Sequence, residues 1–241
     1  MRAGRHLAAC ATLPPVLTHV PHPRWLVLQL ADSAFPTGGF AHSAGLEAAV
    51  QLGLVRTVDD LDTYCRWHLW NTGHAALPFV GAAHDAPAEV WELDTIVDAM
   101  LSNHVANRAS RTQGRALLAT CARVFDSMAV TNLARRGRER GVFSHVAPMF
   151  GALMASLAID RRETLALYLY TSARGVAAAG VRLGVVGPYE AQRLQQRNGG
   201  LMDDVVTRCE TLGPREATTV VPLFDVAGAT QDRLYARLFQ S

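Results

Sequence analysis

The chain has 241 residues, 49% of them hydrophobic and 18% charged, a length that allows one large domain with a sizeable core. All 23 basic residues are arginine, which excludes a P-loop NTPase, a Schiff-base or PLP enzyme and a protein kinase, each of which needs its own lysine. The formal net charge of +2 gives no sign of a polyanion partner, and GC-rich codon usage accounts for the arginine bias.

Residues 1–23 carry Pro14, Pro15, Pro21 and Pro23 and read as a loose N-terminal extension. An apolar segment from Trp25 to Leu30 stops at Phe35-Pro36-Thr37-Gly38-Gly39-Phe40, a loop. Ser43 is placed to cap a helix through Leu46, Ala49 and Val50 that Gly53 ends. Thr57 and Asp60 have capping-box spacing, opening a helix whose Leu61, Tyr64, Cys65, His68 and Leu69 share a face. Residues 83–90 read as a loop, and helices are expected around 91–103, 106–130, 145–158 and 161–183. In the last of these Leu165, Leu169, Ser172, Val176 and Ala179 form a stripe, while Gly175, Ala178, Ala179 and Gly180 admit a close neighbour. Gly184 ends it, Gly187-Pro188 starts the next, and a helix near 198–211 precedes the Pro-containing segment 213–228. A short amphipathic piece, 231–239, closes the chain. No period-two alternation persists, so the expectation is an all-α, single helical-bundle-like domain of about eight to ten helices over residues 24–241.

Chemistry-bearing residues are scattered. Cys10, Cys65, Cys121 and Cys209 lie far apart without a C-x-x-C pair, which reads as reduced thiols in a cytoplasmic protein. The nine histidines contain no H-x-x-x-H or H-E-x-x-H, so no metal site is assigned. Ala41-His42-Ser43-Ala44-Gly45 is one residue from a G-x-S-x-G nucleophile elbow, but no strand precedes it; a serine hydrolase using Ser43 is the alternative reading. Arg135, Arg136, Arg138 and Arg140 read as a solvated helix end, with no interleaved aromatics to stack nucleic acid. No run approaches the 18 apolar residues of a membrane span. Acidic pairs fall where helix first turns favour them, so the residues alone favour a binding or assembly protein over an enzyme.

Five ordered blocks then carry a resemblance: L-Q-L-A-D-S-A-F-P-T-G-G-F-A-H-S-A-G-L-E (28–47), N-H-V-A-N-R-A-S-R-T-Q-G-R-A-L-L (103–118), H-V-A-P-M-F-G-A-L (145–153), V-R-L-G-V-V-G-P-Y-E-A-Q-R-L (181–194) and L-Y-A-R-L-F-Q-S (234–241). Together they resemble the urease accessory protein UreF family. The resemblance implies an all-α homodimer without catalysis or cofactor of its own. It implies that the chain binds UreD (UreH in some organisms) and with it recruits the GTPase UreG to apo-urease for nickel insertion. It further implies a partner-binding C-terminal tail of about 225–241 that orders on binding UreD, with Arg237 matching an arginine implicated in GTPase recruitment. Leu234, Tyr235, Leu238 and Phe239 supply an apolar anchor beside it, unless they pack on their own domain. The second candidate surface is the loop of Phe35, Pro36, Gly38, Gly39, Phe40 and His42, where the glycines permit positive φ.

Overall fold

The computed structural model describes residues 23–241. The extension expected over 1–23 therefore lies outside the described residues, except that Pro23 opens the first helix. Twelve α-helices follow in order: α1 Pro23–Ala31, α2 Leu46–Gln51, α3 Val58–Ala75, α4 Leu77–Asp85, α5 Val90–Met100, α6 His104–Val124, α7 Met128–Arg140, α8 Val146–Ser156, α9 Arg161–Arg182, α10 Pro188–Arg197, α11 Gly199–Cys209 and α12 Pro222–Ala229. The described residues contain no strand, so the fold is all-α, with slightly more helices than composition and punctuation led one to expect.

Local chemistry explains most boundaries. Thr57 caps α3 through a reciprocal capping box with Asp60. The Asn103 carboxamide accepts from the amides of Val105 and Ala106 to start α6, and Asp160 does the same for α9. Pro188 sits in the first turn of α10, where its missing N–H costs nothing.

Four boundaries differ from expectation, the first being that of α2, whose N-cap is Gly45 in left-handed conformation and not Ser43. The helix read over 106–130 is two helices. Phe125 turns out in extended conformation to stack on Phe35 at 6.0 Å, and the Ser127 hydroxyl caps α7 by accepting from Val130. The loop read over 83–90 is mostly helical: α4 runs on to Asp85, and Pro87–Glu89 forms a 3-10 turn. The segment 213–228 contains α12, whose Pro222 occupies the first turn and opens the helix instead of breaking it.

The core has two parts. The larger gathers α3–α9 and α11 around α8, where every residue from Ala147 to Met154 is buried. A helix apolar on all sides has to sit at the centre. α4 crosses it so closely that a Cβ on Gly151 would lie 2.1 Å from the Val80 carbonyl oxygen. The smaller cluster joins α2, α3, the C-terminal half of α9 and α10, and its last member is Phe239. Here Gly180 admits Leu61 of α3, as a Cβ would meet Leu61 Cδ2 at 2.6 Å. Gly175, expected to play the same part, faces open space, and Ala178 is exposed. The α9 stripe is buried apart from partly exposed Ser172, which hydrogen-bonds His68 Nε2 at 2.7 Å. Burial lowers the His68 pKa to about 4.

Candidate functional site

The two regions singled out in sequence, the loop 35–42 and the C-terminal tail, are one place in the structure. Gly38 takes φ 75° and opens a 3-10 turn over Gly39–Ala41; Gly45 takes φ 83° ahead of α2. Positive φ at both glycines turns the chain back twice within eight residues, which L side chains rarely allow. The result is a rim of free backbone groups, and the tail docks on it. Gln240 donates its amide to the Ala41 carbonyl (2.8 Å), and the Ser43 amide and hydroxyl both donate to the Ser241 carbonyl (2.5 and 2.8 Å). His42 Nδ1 pairs with the Ser241 hydroxyl at 2.6 Å.

Side chains fix the tail more firmly. Glu47, in the first turn of α2 and 1% exposed, accepts from the amides of Leu238 (2.6 Å) and Phe239 (3.1 Å) and from Gln231 Nε2 (2.6 Å). Gln51, one turn on, donates to the Ala236 carbonyl at 2.8 Å. The Arg182 guanidinium lies between two rings, 3.9 Å from the centroid of Phe40 and 4.0 Å from that of Phe239. It also donates to the Phe40 carbonyl. One cation thus joins loop to tail through a ring of each.

A second anchor ties the start of the tail to α6. Arg108 grips Asp232 with both Nη atoms (3.1 and 2.9 Å), His104 Nε2 lies 3.2 Å from the same carboxylate, and Arg237 Nη1 donates to it at 3.1 Å. The Arg108 hydrogen bonds, before all else, hold the Asp232 carboxyl below the usual carboxylate range. Asn103 also donates to the Asp225 carbonyl, fastening α12 to the N-terminus of α6.

The sequence-predicted residues divide accordingly. Phe35 and Phe239 are buried and work as internal anchors. His42 is buried too, and burial first, then the Arg108 charge, lowers its pKa. Pro36 is exposed, while its carbonyl accepts from the Thr120 hydroxyl at 2.7 Å. Leu234 is partly buried. What faces outward is Tyr235, fully exposed, with Leu238 at 61%, Phe40 at 74% and Arg237 beside them. Sequence reasoning missed Glu47, Arg182, Arg108 and Asp232. The only available signal was that the first three lie inside the blocks 28–47, 181–194 and 103–118.

The block 145–153 belongs to a separate polar knot. Asp94, wholly buried, accepts from the amides of Ser144 (2.9 Å) and His145 (2.6 Å); His145 in turn bonds Ser110 and Asp98 at 3.1 and 3.0 Å. Ser144 takes φ 64°, and its carbonyl would lie 1.9 Å from a Cβ on Gly114. This knot locks α5, α6 and α8 together.

Nucleophile chemistry at Ser43 has no support from this geometry. Its hydroxyl donates to the Ser241 carbonyl and accepts from the Glu47 amide, and the neighbouring His42 is turned to Ser241. Among the described residues no group of three or more His, Cys, Asp or Glu is placed to hold a metal ion, and no helix is long and apolar enough to cross a membrane. The three described cysteines are free and buried; burial pushes the Cys65 and Cys121 thiols up to about 12.

Comparison with known proteins converges on one family. The UreF family model matches residues 55–198. Urease accessory protein F of Arabidopsis thaliana is 38% identical over 222 residues, covering 90% of this chain and 92% of its own. The protein of the same name from Oryza sativa subsp. indica is 37% identical, covering 90% of this chain and 85% of its own. Urease accessory protein UreF of Mycobacterium sp. (strain JLS) is 31% identical over 215 residues, covering 89% and 97%.

Proposed function

The chain belongs to the UreF family, and from that membership we propose that it is a non-enzymatic urease maturation factor that presents its docked C-terminal tail to partners. In this reading it binds UreD (UreH) in the cytoplasm as a homodimer. The pair then recruits the GTPase UreG to apo-urease for nickel insertion. Nickel is cargo of the assembly, not a cofactor of this chain.

One observation carries the reading. The tail is clamped through its backbone and through Phe239, and that clamp leaves Tyr235, Arg237 and Leu238 on the surface as a contiguous aromatic, guanidinium and aliphatic set. Tyrosine and arginine are the residue types that dominate interface energetics. The composition agrees: a chain without lysine leaves nucleotide hydrolysis to a partner's P-loop.

The test is co-purification of the tagged chain with UreD and UreG from a urease-positive cell, beside urease activity in a clean deletion strain. The expected outcome is capture of both proteins and loss of urease activity that added nickel does not fully restore. Normal urease activity in the deletion strain overturns the reading.

A further inference from the structure

We propose that Glu47 is the positioning residue of the tail: its buried carboxylate sets the register in which the last residues dock, and thereby aims Arg237 at a partner. The inference rests on the proposed function for its consequence, but its structural half stands alone.

Glu47 is 1% exposed, and its carboxylate accepts from three N–H donors: the amides of Leu238 and Phe239 and the carboxamide of Gln231. A carboxylate buried this deeply has to have its lone pairs filled, and hydrogen bonds to an ionised acceptor are the strong ones. Two of the three donors are consecutive backbone amides, so the carboxylate recognises the chain's path and not a side chain. Gln231 completes the clamp from the other side, because its Nε2 also donates to the Phe239 carbonyl at 3.3 Å.

Register follows from what flanks the clamp. Phe239 is buried in the smaller core cluster against Arg182, while Leu238 beside it is exposed. A slip of one residue would give the carboxylate the amides of Arg237 and Leu238, draw Phe239 out of the core and move Arg237 by about 3.3 Å along the chain. Arg237 would then lose its place beside Asp232. Clamp and ring together therefore admit one register, and in that register Tyr235, Arg237 and Leu238 face outward.

Glu47→Gln keeps the shape of the side chain and replaces one acceptor oxygen by an NH2 that cannot accept. In the full chain, amide hydrogen exchange at Leu238 and Phe239 is expected to speed up about 10- to 100-fold, with exchange in α8 unchanged. Capture of the GTPase in the presence of UreD is expected to weaken at least about tenfold, and adding Arg237→Ala to Glu47→Gln is expected to cost little more, since Arg237 is already misplaced. A residue that merely stabilised α2 would lower affinity without cancelling the Arg237 effect. Unchanged exchange at the two amides overturns the clamp. Raised exchange with unaltered capture, or with a fully additive Arg237→Ala effect, overturns the aiming of Arg237. If Glu47→Gln does not fold, Leu238→Pro removes one donor from the surface side. It is expected to raise exchange at Phe239 with little change in the unfolding midpoint, and unchanged exchange at Phe239 counts against the proposal as before. A wild-type chain that captures neither protein refutes the functional reading, and the exchange data still decide on Glu47.

Discussion

Arg237→Ala separates the fold from recruitment, because the structure makes the arginine cheap to remove and costly to lose. Its side chain is 45% exposed and makes one hydrogen bond, to an Asp232 that Arg108 already holds through both oxygens and His104 approaches. Deleting it therefore strands no buried charge, and the lost pair is of the exposed kind worth about 0–1 kcal/mol. For a chain of this size that shifts the unfolding midpoint by no more than about 2–4 °C. A central interface arginine truncated to alanine typically costs about 2–4 kcal/mol, which is roughly 30- to 1,000-fold in affinity. Calorimetric unfolding beside titration of the UreD-bound chain with UreG measures both numbers on one preparation. The expected pair is a nearly unchanged midpoint and a GTPase affinity lower by more than about 30-fold, with UreD binding retained. Arg237→Lys keeps the charge and loses the planar fork, so it is expected to recover only part of the affinity. Unchanged GTPase affinity refutes the assignment of Arg237. A midpoint lowered well beyond about 4 °C refutes the claim that Asp232 stays satisfied without Arg237.

Phe239→Ala removes the tail's buried ring; such a truncation costs about 3–5 kcal/mol, and a terminal segment meets that cost by undocking. Faster tryptic clipping after Arg233 and Arg237 with a modest change in midpoint is expected, whereas global unfolding without faster clipping contradicts a local docking unit. Arg182→Lys retains a cation but not a plane that two rings can sandwich, a loss of about 1–2 kcal/mol of tail docking, read as enhanced exchange at residues 238–240; wild-type exchange in the lysine variant shows that charge alone suffices. The pKa of His68, depressed by burial to about 4 in the folded state against about 6.5 unfolded, gives a pH signature. The unfolded chain binds the proton first, so stability is full above pH 6.5 and falls by up to about 1.4 kcal/mol per pH unit toward pH 4. His68→Gln, which keeps a partner for Ser172, is expected to flatten that part of the denaturation profile, and an identical slope in the variant rules out His68 as its source.

What was legible in the sequence was local. The capping box at Thr57, the buried face Leu61–Leu69 of α3 and the proline start of α10 are decided by residues within one or two turns of each other, and the structure shows each. The failures are places where distant packing won. Phe125 splits a helix because Phe35, 90 positions earlier, offers a ring to stack on. The α12 helix hides behind Pro222 because a proline reads equally as breaker and as first-turn residue. The site was legible only in halves. Loop and tail were each noticed, but Ser43 and Ser241 are separated by 198 positions, and no periodicity links them. Glu47 lies in a helix first turn and Arg182 in a last turn, where an acid and a cation are ordinary. Only the fold gives each its backbone or aromatic partner.

The missing lysines acquire a local meaning at that site. Three arginines from three separate elements hold or border the tail. Arg108 meets both oxygens of Asp232 at once and Arg182 lies about 4 Å from two ring centroids, uses of the planar fork that an ammonium cannot reproduce, while Arg237 shares a carboxylate already satisfied by another fork. The last arrangement is the one with a consequence for binding. A guanidinium has five donors, and Arg237 spends one on Asp232. Because Arg108 keeps Asp232 satisfied, Arg237 is free to turn its fork to a carboxylate on a partner without leaving an unpaired charge behind. Across the chain every basic residue is arginine, as a GC-rich codon bias would produce. At this one cluster the substitution also supplies a cation that is held in position yet costs little to release.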